Sequence, residues 1–189
     1  MVSLMDDNTP VVDPNLDPDI NLDLPDIACE YYDQDQFLNN FSQANYFKCL
    51  HINARSLISN ISDIQQYLNI LGDNFSIIGV SETWLKDIDD PLVKLDGYAM
   101  EGFCRKHKRG GGVALYIKND LTYKTRQDIC SNTEDFEACF IEIENSASGN
   151  IVVGIVYKPP DVSCSTFSDS FNETLAQVQN DKKTGVYFR

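Results

Sequence analysis

The stretch Phe75–Leu85, FSIIGVSETWL, decides how this chain folds. Phe75, Ile77, Ile78 and Val80 form a short continuous apolar run, the pattern of a strand covered on both faces rather than one half-exposed to water. The run then delivers a carboxylate, Glu82. A charge there can simply mark where the strand reaches solvent. It can also be a carboxylate held by a rigid element at the mouth of a site.

Upstream, FKCLHIN (Phe47–Asn53) alternates as a strand and ends on Asn53. Leu57, Ile61, Ile64, Leu68 and Leu71 then recur at three-to-four spacing, an amphipathic helix stopped by Gly72. Downstream, Tyr98–Phe103 and GGGVALYIK read as two strands joined by the turn RKHKRGG. FEACFIEIEN and NIVVGIVYK read as a further pair across SASGN, closed by Pro159 and Pro160, which cannot donate to a ladder. A second helix carries Phe167, Phe171, Leu175 and Val178 on one face, with Ser165 or Thr166 as its cap. The short apolar stretch GVYF follows. A β-α-β opening, several strands, then α and β predict an α/β or α+β body.

Charge divides the chain unevenly. Residues 1–46 hold ten of the 29 carboxylates and none of the 15 Lys and Arg, which leaves 19 acidic against 15 basic residues from Phe47 onward. The tail repeats Asp and Pro without an apolar period, so it cannot bury enough surface to offset its ordering entropy; the expectation is a mostly disordered acidic tail at 1–46 and one domain at 47–189. A short helix around Asp33–Phe41 is compatible with Phe37, Leu38 and Phe41 on one face. The start lacks the basic and apolar regions of a secretory signal, and no apolar run approaches the ~20 residues of a membrane span. The six cysteines form no C-x-x-C pair, which favours reduced thiols in an intracellular protein, nuclear or cytoplasmic.

If the strands ending at Asn53 and Ser81 are parallel neighbours, Asn53 and Glu82 emerge at one sheet edge, where open sheets of this kind place their sites. Alone, Asn53 is more often a turn former and Glu82 more often a routine strand-end charge. Gly110–Gly112 is no phosphate loop, because no G-K-[ST] follows and a strand comes next. The preceding Arg105, Lys106, Lys108 and Arg109 form the one dense basic patch, a solvated turn or a partner for a phosphate backbone; His107 within it reads as a bystander. Tyr157, ahead of the double proline, is a core-edge tyrosine or a hydroxyl presented to the same site.

Taken together, HINARSL, GVSETWL, DGY, RGGGVALYI and GIVYKPP, in this order and spacing, resemble the endonuclease/exonuclease/phosphatase family, and most closely the endonuclease domain of LINE-type (non-LTR) retrotransposons. The resemblance implies a four-layer α/β/β/α sandwich, DNase I-like, that hydrolyses phosphodiesters with Mg²⁺ or Mn²⁺. It implies that Glu82 binds the metal, that Asn53 lies at the metal and phosphate, and that Tyr157 lies near the scissile phosphate. Arg55 joins the basic patch as a DNA-phosphate contact. The family pattern continues into a GDFN and an SDH-like motif, and neither occurs in these 189 residues. The expectation is therefore an incomplete sandwich, inactive alone, that binds metal weakly, has DNA as its partner and no membrane, and leaves one apolar sheet face open to self-association. A non-catalytic interaction module and a phosphatase of the same fold are the alternative readings.

Overall fold

The computed structural model describes residues 31–41, 47–72, 75–105, 110–144, 149–180 and 184–188. The acidic reading of residues 1–30 lies outside them. Helix α1 spans Gln34–Phe41, within the stretch read as tail, and Phe37 stacks on Phe75 at 6.4 Å between ring centroids.

The remaining elements form two sheets. Strands β1 (Cys49–Asn53), β2 (Ile77–Ser81), β3 (Tyr98–Phe103) and β4 (Val113–Lys118) make the first, in the order β1-β2-β4-β3. Helix α2 (Leu57–Ile70) crosses from β1 to β2, and the two strands pair in parallel with Asn53 opposite Ser81. Strands β5 (Tyr123–Thr125), β6 (Ser131–Asn132), β7 (Glu137–Ile143), β8 (Ile151–Tyr157) and β9 (Thr184–Phe188) make the second, in the order β5-β7-β8-β9 with β6 also on β7. Helix α3 (Cys164–Asn180) carries the chain from β8 to β9, which pair in parallel.

Side-chain alternation explains the layering. On β4, Val113, Leu115 and Ile117 face the second sheet, where with Ile77 they meet Cys139, Ile141 and Ile143 of β7 and Val153 and Ile155 of β8. The opposite face of the first sheet packs on α2 through Ile78, Val80, Leu57, Ile64 and Leu68. The outer face of the second sheet packs on α3 through Ala138, Phe140, Val152, Val156, Phe167 and Val178. The order is α/β/β/α, a short version of the four-layer sandwich.

Two expectations change here. Among the described residues no open apolar sheet face is seen: every residue of β2 and β7 is buried, because β7 and β8 themselves supply the second sheet. The GVYF stretch lies within β9, which pairs with β8 and forms the edge of the second sheet. Helix α3 is capped by Ser163 rather than Ser165 or Thr166, its hydroxyl accepting from the Thr166 N–H at 3.1 Å. Cys49, Cys104, Cys130, Cys139 and Cys164 are free thiols, and among the described residues no helix is long and apolar enough to cross a membrane.

Candidate active site at the strand ends

Beyond β1 and β2 the chain does not leave the sheet at once. The Ala54 N–H donates to the Ser81 carbonyl at 2.9 Å, Ser56 to Glu82 at 3.0 Å and Leu57 to Thr83 at 2.9 Å. On the other side Thr83 donates to Gly112 at 3.2 Å and Trp84 to Gly111 at 2.9 Å. Segments 54–57, 81–84 and 110–112 are thus zipped side by side. Keeping that registry forces unusual backbone. Arg55, Ser56, Glu82 and Trp84, at φ +43°, +92°, +53° and +55°, are the non-glycine residues with positive φ among those described, and all four lie here. Such conformations cost ~1–3 kcal/mol each and gather at functional sites. Gly112 is required for a second reason: a Cβ there would stand 2.3 Å from Thr83 Oγ1.

Asn53 and Glu82 meet in this frame, with Asn53 Nδ2 donating to Glu82 Oε1 at 3.0 Å. Asn53 is exposed and Glu82 half-buried, so the pair sits at the surface rather than in the core. Tyr157 comes from elsewhere than the single edge pictured from sequence. It ends β8 in the second sheet and shares the inward face of Val153 and Ile155. Burial raises its hydroxyl pKa above the ordinary value, and the nearby Glu82 carboxylate adds to the rise while Arg105 opposes it. Asn53, Glu82 and Tyr157 are thus contributed by both sheets to one end of the sandwich.

Arg105 is held by a residue that sequence reading passed over. Glu137, the first residue of β7, faces inward and is buried, at 1% exposure. It accepts from Arg105 Nε and, at 2.5 Å, from the Gly112 N–H. The Arg105 guanidinium in turn lies 5.9 Å from the centre of the Tyr157 ring, within cation–π range. Glu137 therefore fixes both the glycine turn and the cation beside Tyr157. The signal was the FEACFIEI alternation itself, which puts Glu137 on the face of Cys139 and Ile141. Arg55 is exposed on the 54–57 segment. Lys106, Lys108 and Arg109, with His107, lie outside the described residues.

Mg²⁺ and Mn²⁺ take oxygen donors, and Mg²⁺ commonly binds through one or two carboxylates plus waters and substrate phosphate. The Asn53–Glu82 bond uses one carboxylate oxygen and the amide NH₂, which leaves a carboxylate oxygen and an amide oxygen of the right chemistry. Among the described residues no group of three His, Cys, Asp or Glu side chains could hold a metal ion. The donors fit such a cation in kind and supply few of its ligands.

No protein-family profile matches the chain, and no curated protein matches it. Solved structures do. ANGEL2, a 2′,3′-cyclic phosphatase, aligns with a TM-score of 0.51 at 13% identity over 71% of this chain and 47% of its own. The AP endonuclease LMAP from Leishmania major aligns at 0.49 and 16% identity over 69% of this chain and 47% of its own. The chain spans about half the length of these structures, and over the aligned part it shares the α/β/β/α fold of ANGEL2.

Proposed function

We propose that residues 47–189 are part of a metal-dependent, DNA-cleaving phosphodiesterase domain of the LINE retrotransposon type, with the acidic stretch 1–46 as its appendage. The observation that supports this most is the Asn53–Glu82 hydrogen bond, set in a strained and zipped frame at the carboxyl ends of two parallel strands. In this reading Glu82 would hold the cation through a carboxylate oxygen, and Asn53 would orient that carboxylate beside the phosphate. The Tyr157 hydroxyl, protonated at neutral pH like any tyrosine, donates a hydrogen bond to a phosphate oxygen. Arg105, with Arg55 and the basic turn Lys106, Lys108 and Arg109, offsets backbone charge. A bound Mg²⁺ or Mn²⁺ would supply Lewis-acid polarisation of the phosphoryl oxygen.

Glu82 is a single carboxylate, and residues 1–189 hold neither GDFN nor an SDH-like motif. Metal binding by this chain alone is therefore expected to be weak. Nicking is expected to run ~10²–10⁴-fold below that of a domain with a general acid–base histidine. The test is relaxation of supercoiled plasmid in Mg²⁺ and Mn²⁺ with the full chain, Glu82→Ala, Asn53→Ala and Tyr157→Phe. Slow nicking that disappears in Glu82→Ala supports the reading. Nicking that survives Glu82→Ala refutes the site. The likeness to ANGEL2 favours a second reading, a phosphatase of the same fold acting on small phosphoesters, which phosphate release without plasmid nicking would select. A chain that neither nicks nor releases phosphate would be the non-catalytic module.

A further inference from the structure

Trp84 is the one tryptophan of the chain, and it stands two residues from Glu82. Along this segment buried and accessible residues alternate: Ser81, Thr83 and Leu85 are buried, Glu82 is half-buried and Trp84 is 38% exposed. The backbone around the indole is fixed from both sides. Thr83 and Trp84 donate to the carbonyls of Gly112 and Gly111, and the neighbouring buried side chains anchor the chain at Leu85. The indole nitrogen lies beside Gly110, 3.6 Å from where a Cβ would be. A large, partly exposed aromatic residue thus stands on a segment whose left-handed residues, Glu82 and Trp84, are the two with access to solvent. Two residues of chain span at most ~7 Å, so a ligand held at Glu82 comes within reach of the ring. Arg105, ion-paired with Glu137, lies against Gly111, and the exposed Arg55 belongs to the segment bonded to Glu82 and Thr83. An anion beside an aromatic face is the chemistry of a nucleotide. Bases inside a duplex are covered by their neighbours, whereas an unpaired base has a face to offer.

We propose that Trp84 is a stacking platform for an unpaired nucleobase of the strand whose phosphate sits at Glu82. This deepens the nuclease reading and rests on it. Because Trp84 is the sole tryptophan, its emission reports the contact directly. The full chain, with Mg²⁺ present, is titrated with a 5′-dye-labelled single-stranded DNA dodecamer and with an abasic oligomer of the same length, while dye anisotropy measures binding. Stacking predicts that the base-bearing oligomer quenches Trp84 at saturation and the abasic one does not. Trp84→Ala is expected to weaken binding of the base-bearing strand by about 5- to 150-fold and to leave the abasic oligomer unchanged, with Trp84→Phe close to the unsubstituted chain. Equal quenching by both oligomers, or a folded Trp84→Ala that binds DNA as tightly as before, overturns the stacking role with the nuclease reading intact. If Trp84→Ala does not fold, the quenching comparison on the unsubstituted chain decides. Anisotropy that shows no binding of either oligomer overturns the nuclease reading, and this inference with it.

Discussion

Replacing Glu137 by Gln should unfold this protein far more readily than the loss of one formal charge suggests. The carboxylate is buried at 1% exposure and accepts from two donors on different segments, Arg105 Nε and the Gly112 N–H. A glutamine has nearly the same shape but only one acceptor oxygen, so one donor must face an NH₂ group. Arg105 keeps some access to water, at 16% side-chain exposure, whereas Gly112 is buried and cannot rehydrate. Losing a charged acceptor costs ~1.5–3 kcal/mol per hydrogen bond, and breaking a buried pair from one side ~3–5 kcal/mol. We expect Glu137→Gln to lose about 3–5 kcal/mol in urea unfolding, equivalent to a fall of ~6–20 °C in Tm for a chain of this size. The double variant Arg105→Leu/Glu137→Leu removes both charges together and should recover part of the loss, so the double-mutant cycle should show strong coupling. A loss below about 1 kcal/mol for Glu137→Gln, or additive single effects, would show that Glu137 does not hold the glycine turn.

Gly154 lies under the Phe140 ring, and a Cβ there would stand 2.2 Å from Phe140 Cδ1. Gly154→Ala should cost about 1–3 kcal/mol by overpacking, and Phe140→Leu in the same chain should relieve it; an unchanged urea midpoint would count against that packing. Half-burial lowers the pKa of His51 below its usual 6.5, with its Nε2 3.1 Å from Ser81 Oγ. The unfolded chain then takes up the proton first, so the His51 contribution to stability is complete above about pH 6.5 and is lost as pH falls through the lower folded value. Urea midpoints at about pH 7.5 and pH 5.5 should differ more for the unsubstituted chain than for His51→Gln, and equal differences would refute the linkage.

Apolar period made much of this fold readable. Ile77, Ile78 and Val80 have partners on both faces of their sheet, which is why that run shows no alternation. Leu57, Ile64 and Leu68 lie on one face of α2 because they meet the first sheet there. What sequence could not supply was set by distant partners. The FEACFIEI alternation puts Glu137 on the inward face, but its partner Arg105 lies 32 residues away, and only the fold brings the two together. Glu142 reads as a solvent-facing residue, yet it is buried against Arg126 Nη1 at 3.1 Å and Asn150 Nδ2 at 2.6 Å. Strands β5 and β6 are too short to show a period. The left-handed backbone at Glu82 and Trp84 has no glycine to announce it, since hydrogen bonds from neighbouring segments impose it. Asn53 and Glu82 could be paired from sequence because parallel pairing of β1 and β2 brings their ends level. Tyr157 could not be placed in the second sheet, because sequence does not say which strands layer on which.

The two sheets occupy separate stretches of chain, the first ending at Lys118 and the second beginning at Tyr123. No strand of one is interleaved with strands of the other. On a ribosome the first sheet can therefore assemble around α2 while its second face waits for β7 and β8. Tyr157 follows Lys118 by about forty residues, which at ~5–20 residues per second is an interval of about 2–8 s. Through that interval Ile77, Leu115 and Ile117 lie bare on a nascent sheet. The same layered order that brings Tyr157 to the end of the sandwich at Glu82 thus leaves the growing chain with an uncovered apolar sheet face until β8 arrives.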